Sequence, residues 1–218
     1  MQPEAAARAA PNLVYSAVRD EITTGDVLLF QGSSLLSKLI RWGSGSAYSH
    51  AGIAAWWDDR LLVFQATGRG TEVLPVSSAV DAYDGQVDWY ALRSDKKFSP
   101  EQTQRLINQA VTLLGRAYAR SGLLNLMWRM LWGRFRGRLD PKSCPDTLFC
   151  SQYVSYCYRA VDSDLVEGTD DGSTSPGDLA GSPLLEKRGI LHADPQQKAQ
   201  RQLSAGGVPG RPRSQVRK

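Results

Sequence analysis

Residues 48–67 read Tyr48-Ser49-His50-Ala51-Gly52-Ile53-Ala54-Ala55-Trp56-Trp57, then Asp58-Asp59, then Arg60-Leu61-Leu62-Val63-Phe64-Gln65-Ala66-Thr67. Two apolar runs rich in β-formers flank a polar turn, which is a hairpin signature. With Asp58-Asp59 at the turn, residue 57 pairs with 60 and, stepping back along both strands, residue 52 faces 65. Side chains alternate along a strand, so His50, Gly52 and Gln65 share one face, and His50 and Gln65 are diagonal neighbours. A slip of one residue would put Gln65 on the other face.

Working outward, Thr24-Gly25 is a turn and Asp26 to Phe30 a buried strand. Ser33 or Ser34 caps a short helix whose apolar side is Leu35, Leu36, Leu39 and Ile40. Gly43-Ser44-Gly45-Ser46 breaks it. After the hairpin, Gly68-Arg69-Gly70 turns into a third strand, Thr71 to Leu74, and Val87 to Leu92 forms a further one. Then the period changes. Ser99-Pro100-Glu101 starts a helix, with Leu106, Ile107, Ala110, Val111 and Leu114 at helical spacing and Gly115 ending it. A second helix is expected over about 149–161. Strands grouped before helices indicate an α+β domain with an antiparallel sheet. Residues 1–20 read as a lead-in, 21–192 as the domain and 193–218 as a basic, disordered tail.

The chain has 218 residues with a net charge of +4. The excess sits in the tail, where Lys198, Arg201, Arg211, Arg213, Arg217 and Lys218 occur without an acid after residue 195. Such a tail can meet an anionic surface, but its commonest state is a solvated end. Hydrophobic residues make up 42% and no apolar run is long enough to span a bilayer, which excludes a disordered chain and a transmembrane helix. Three cysteines without an apolar leader argue against a disulfide framework and for a cytoplasmic setting.

Two histidines are present. His192 reads as a surface residue beside the tail. His50 opens a strand behind a glycine-rich approach. Cys150 lies in Asp146-Thr147-Leu148-Phe149-Cys150-Ser151-Gln152-Tyr153-Val154, where Asp146 or Thr147 is positioned to cap the coming helix. That places Cys150 in the first turn, where backbone N–H groups and the helix dipole favour thiolate and stabilise an oxyanion. Cys157, two turns on, reads as core, and Cys144 as a loop residue. The Cys-x5-Cys-x6-Cys spacing fits no usual zinc pattern.

Gly25-Asp26-Val27, Ser49-His50-Ala51-Gly52-Ile53 and Phe64-Gln65-Ala66 resemble the NlpC-type branch of papain-like cysteine hydrolases. The cysteine-bearing helix, Phe149-Cys150-Ser151-Gln152-Tyr153-Val154, comes after these strands rather than before them. That order resembles the circularly permuted branch, which includes YiiX-like and lecithin–retinol acyltransferase-like proteins. Leu114-Gly115-Arg116-Ala117-Tyr118 and Ser175-Pro176-Gly177-Asp178-Leu179 also resemble its segments. The resemblance implies a papain-like fold, Cys150 as nucleophile, His50 as base and Gln65 as the third, polar residue. Tyr48 and Ser151 are the expected substrate or oxyanion contacts. Should the third group instead be a carboxylate, Asp26 and Glu72 are the nearest, although Asp26 reads as a turn residue. No metal or cofactor is expected.

The resemblance implies a peptide or peptidoglycan amide, or a lipid acyl ester or amide, as substrate. It also leaves acyl transfer and a non-catalytic binding module as alternatives. Residues 116–139 carry Arg116, Arg120, Arg129, Arg134, Arg136 and Arg138 among Trp128, Trp132, Phe135 and several leucines. This pattern suits a membrane interface, and equally a helix covering the sheet. No nucleic-acid motif accompanies it.

Overall fold

The computed structural model describes residues 10–118, 147–169 and 171–195. Its strands are β1 (Asn12–Val14), β2 (Val27–Gly32), β3 (His50–Trp57), β4 (Arg60–Thr67), β5 (Gly70–Pro75), β6 (Gly85–Leu92), β7 (Ala117–Tyr118), β8 (Thr147–Leu148) and β9 (Leu185–His192). The helices are α1 (Tyr15–Val18), α2 (Leu35–Ser44), α3 (Val76–Ala82), α4 (Pro100–Thr112), α5 (Cys150–Arg159) and α6 (Pro176–Ala180). Seven strands form one sheet in the order β1-β9-β6-β2-β3-β4-β5, antiparallel except for the β1–β9 pair. This is an α+β fold.

The sheet is buried on both faces. Val27, Leu29, Ala51, Ile53, Phe64 and Ala66 point toward α4 and α5, meeting Leu106, Ala110, Tyr153, Val154 and Cys157. Leu28, Phe30, Ala54, Val63, Val87 and Trp89 point the other way, meeting Tyr15 and Val18 of α1 and Val76, Ala79 and Val80 of α3. That double burial explains why the central strands read as near-continuous apolar runs. Asp26 sits between them, fully buried. Its carboxylate accepts from the Thr23 N–H (2.9 Å) and hydroxyl (3.0 Å), the Trp89 indole (2.8 Å) and the Leu92 N–H (3.0 Å). Burial pushes its pKa up despite these donors. It is a structural turn residue, as the sequence suggested.

The described residues bear on three further expectations. The lead-in, read as short helical or loose, holds a short helix, α1, and a strand, β1, that pairs with β9, and Tyr15 and Val18 are buried. His192 is exposed, as expected, and ends strand β9, with its Nε2 hydrogen-bonded to Asn12 Oδ1 at 2.9 Å. Thr147 does not cap α5 but belongs to β8. The N-cap is Phe149, whose extended backbone makes the turn without a side-chain acceptor. Asp146, Cys144, residues 119–139 and residues 196–218 lie outside the described residues, so the structure does not bear on what was expected of them.

Candidate active site

The hairpin register is the one expected from the turn: Trp57 pairs with Arg60 and Gly52 with Gln65. His50 and Gln65 therefore lie diagonally across β3 and β4, and His50 Nε2 meets Gln65 Oε1 at 2.8 Å. Gly52 makes this contact possible. A Cβ there would stand 2.6 Å from Val63 Cγ2 and 3.3 Å from Gln65 Cβ, crowding the side chain that must lean toward His50. The start of β3 is pinned by Ser49, whose N–H donates to Phe30 O at 2.8 Å and whose Oγ accepts from the Gly32 N–H at 3.1 Å.

Cys150 is the first residue of α5 and is buried. Three hydroxyls fix this helix. Ser151 Oγ donates to Thr174 O (2.6 Å), Tyr153 Oη to Ala110 O of α4 (2.7 Å), and Tyr158 Oη to Gly25 O in the turn before β2. The nucleophile candidate is thereby tied to the strands that carry His50.

Burial alone would raise the Cys150 thiol pKa. The charge of His50, a side-chain hydrogen bond with it, and the backbone N–H groups of Ala51 and Ser151 outweigh burial and hold the thiol below its ordinary range. For His50 the signs mirror these. Burial lowers its pKa, but the hydrogen bond and charge of Cys150, the Gln65 hydrogen bond and the Glu72 charge raise it overall. Both shifts favour a thiolate–imidazolium pair. Because Nε2 is engaged by the Gln65 carbonyl oxygen, Nδ1 is the ring atom left to exchange a proton with sulfur.

Glu72 completes the array. It pairs with Gln65 across β4 and β5, and Gln65 Nε2 donates to Glu72 Oε1 at 3.4 Å. That carboxylate fixes which end of the Gln65 amide faces the imidazole: the NH2 turns to Glu72 and the carbonyl oxygen to His50. Thr67 Oγ1 (3.1 Å) and Arg69 Nη2 (3.5 Å) hold the same oxygen. The sequence presented Glu72 only as a substitute for Gln65; the structure sets it behind Gln65 instead. Glu72→Gln should slow turnover several-fold and move the alkaline limb of the pH–rate profile to lower pH, since removing the negative charge destabilises imidazolium. An unchanged profile would show that Glu72 only packs.

The hydroxyls of Tyr48 and Ser151, the expected substrate or oxyanion contacts, are both engaged within the protein. The Tyr48 hydroxyl is buried on Asp88 (2.5 Å) and Tyr90 (2.8 Å), and burial followed by the hydrogen bond to Asp88 raises its pKa. It is committed to that network rather than offered to a substrate. The Ser151 hydroxyl is committed to Thr174, so its contribution at sulfur is the backbone N–H. Cys157 is fully buried in the core. A cleft of about 340 Å³ opens beside His50 and Gln65, with Phe30, Ile40, Leu74 and Tyr83 as its apolar walls. Cys150 does not line it.

No protein-family model and no curated protein sequence matches this chain. The crystal structure of the metalloprotein YiiX from Escherichia coli O157:H7 does, with a TM-score of 0.57 and 21% identity, covering 76% of this chain and 96% of that one. The chain has the fold of YiiX. At that identity the likeness to YiiX establishes architecture alone. Metal binding by YiiX is a property of that protein. Among the described residues of this chain, no three His, Cys, Asp or Glu side chains converge to hold a metal ion. His50 and Glu72 are separated by the Gln65 amide, which bridges them.

Proposed function

We propose that the protein is a cysteine hydrolase of the permuted, NlpC-type papain-like class, acting on an acyl ester or amide. The observation that carries this reading is the ordered array from Cys150 through His50 and Gln65 to Glu72, with both pKa shifts favouring the ion pair. The Cys150 thiolate attacks the acyl carbonyl, and the carbonyl electrons move to oxygen, facing N–H groups of the first α5 turn. Collapse of this intermediate expels the alcohol or amine, which takes the proton held at His50 Nδ1. Neutral His50 then removes a proton from water, hydroxide attacks the thioester, and the thiolate leaves as the acid is released. Another alcohol or amine in place of water would give acyl transfer. Gln65 keeps the imidazole in one orientation throughout, and Glu72 keeps Gln65.

Alkylation by iodoacetamide, with mass spectrometry to locate the adduct, tests this directly. Cys150 should react well below the ordinary thiol pKa of about 8.5. In His50→Ala the reaction should need a higher pH, because burial then acts on the thiol without a compensating charge. Faster labelling of Cys144 or Cys157 than of Cys150 would defeat the assignment.

A further inference from the structure

Helix α2 presents an apolar stripe to solvent. Leu35, Leu39 and Trp42, at i, i+4 and i+7, are 85%, 44% and 69% exposed. The other large exposed apolar residues among those described, such as Val14, Trp57 and Val111, are scattered over separate elements. The stripe is not a loose end. Ser34 caps the helix by accepting from the Ser37 N–H at 3.1 Å, Gly45 closes it with φ +61°, and Ile40 on the opposite side is buried. Ser37 and Ile40 line the same cleft as His50. The exposed stripe therefore runs along the outside of a wall of the candidate site.

The charge of α2 identifies what the stripe meets. Lys38 borders the stripe beside Leu39 and Trp42, Arg41 lies further round the same side of the helix, and α2 contains no acid. Arg41 is held in place by donating to Gly32 O at 3.2 Å. Leucines and a tryptophan on one side of a basic helix suit the boundary between headgroups and acyl chains. Two-fold pairing with a second copy through α2 would set these cations against their own counterparts. No described helix is long and apolar enough to cross a membrane, so contact through α2 is peripheral.

We infer that α2 docks the protein on an anionic lipid surface, with Leu35, Leu39 and Trp42 entering the interface and Lys38 meeting lipid headgroups, so that the cleft beside His50 opens at the membrane. Docking does not require the Cys150 thiol. The test therefore uses the full chain carrying Cys150→Ala, so that a failed hydrolase assignment leaves the result intact.

Co-sedimentation should show binding to phosphatidylcholine vesicles containing phosphatidylglycerol, and weaker binding to phosphatidylcholine alone. The triple variant Leu35→Ser, Leu39→Ser, Trp42→Ser should keep its circular dichroism and melting temperature, because these side chains are exposed. Its vesicle binding should fall on the order of tenfold or more. Lys38→Glu, which keeps the apolar stripe, should weaken binding only to the anionic vesicles. The inference is overturned if the parent chain ignores both vesicles. It is equally overturned if the triple variant binds as the parent does, which would assign binding to residues 119–139 or the basic tail. A parent that is dimeric by light scattering, with a monomeric triple variant, would assign the stripe to a second copy and also overturn it.

Discussion

Cys150→Ala should reduce turnover of a small activated acyl ester by about four orders of magnitude or more, with the fold unchanged. The array acts as a unit, and removing a nucleophile leaves only binding and oxyanion contacts. Cys150 is small and buried at the start of α5, so alanine removes only the sulfur. His50→Ala should cost nearly as much, because it removes both the thiolate's counter-charge and the proton donor for the leaving group. The double variant should be hardly slower than either single one. Gln65→Ala should cost less, since Gln65 orients the ring but moves no proton, and Gln65→Glu should retain activity. Steady-state kinetics on these variants checks this. Full activity in Cys150→Ala would end the hydrolase reading, and additive losses would show that Cys150 and His50 act separately.

The second large effect falls on stability. Asp88 is fully buried on β6 and accepts from Tyr48 Oη (2.5 Å), Lys187 Nζ (2.5 Å), Gln86 Nε2 (2.6 Å) and Gln31 Nε2 (3.2 Å). Asp88→Ala takes the acceptor from all four. The lysine is partly exposed and recovers some hydration, which moderates the loss. Tyr48 is buried and recovers little. A destabilisation of about 3 kcal/mol is expected, within the range for breaking a buried pair by removing one partner. For a domain of this size that lowers the melting temperature by roughly 6–12 °C. Lys187→Met should also destabilise the fold, because it leaves three uncharged donors on Asp88 but strips the fully buried carboxylate of its counter-charge. Since Tyr48 lies two residues before His50, Asp88→Ala should also loosen the start of β3 and slow Cys150 alkylation. A melting temperature within about 1 °C of the parent would show that solvent replaces the carboxylate.

The hairpin was legible because a two-residue turn between apolar runs fixes register, and register fixes which residues share a face. The His50–Gln65 contact and the place of Cys150 at a helix start followed from such local rules. What local rules do not reach was not legible. β9 reads Leu-Glu-Lys-Arg-Gly-Ile-Leu-His, with three consecutive charges and a register shift opposite Trp89 and Tyr90, so neither alternation nor an apolar run marks it. β1 is three residues long and exists only because β9 offers it a partner. Glu72 behind Gln65 needed the β4–β5 register as well as the β3–β4 one. The Tyr48–Asp88–Lys187 cluster joins the loop before β3 to two strands, β6 and β9, far apart in sequence. Phe149 at the N-cap of α5 was missed because polar residues dominate that position, and here backbone geometry suffices.

The place of β9 also sets an order of events. It lies between β1 and β6, so β1 has no hydrogen-bonding partner in the sheet until β9 has been made. The contact that closes this edge, Ser16 Oγ to Asp194, spans 178 residues. On a ribosome, β2 to β6 can assemble as the chain emerges, but the open flank of β6 waits through the synthesis of α5 and everything up to residue 192. During that interval its main chain offers unpaired donors and acceptors to any extended segment nearby. The nascent chain is therefore exposed to mispairing at β6 after the hairpin bearing His50 is already available, and completion of β9 ends that exposure.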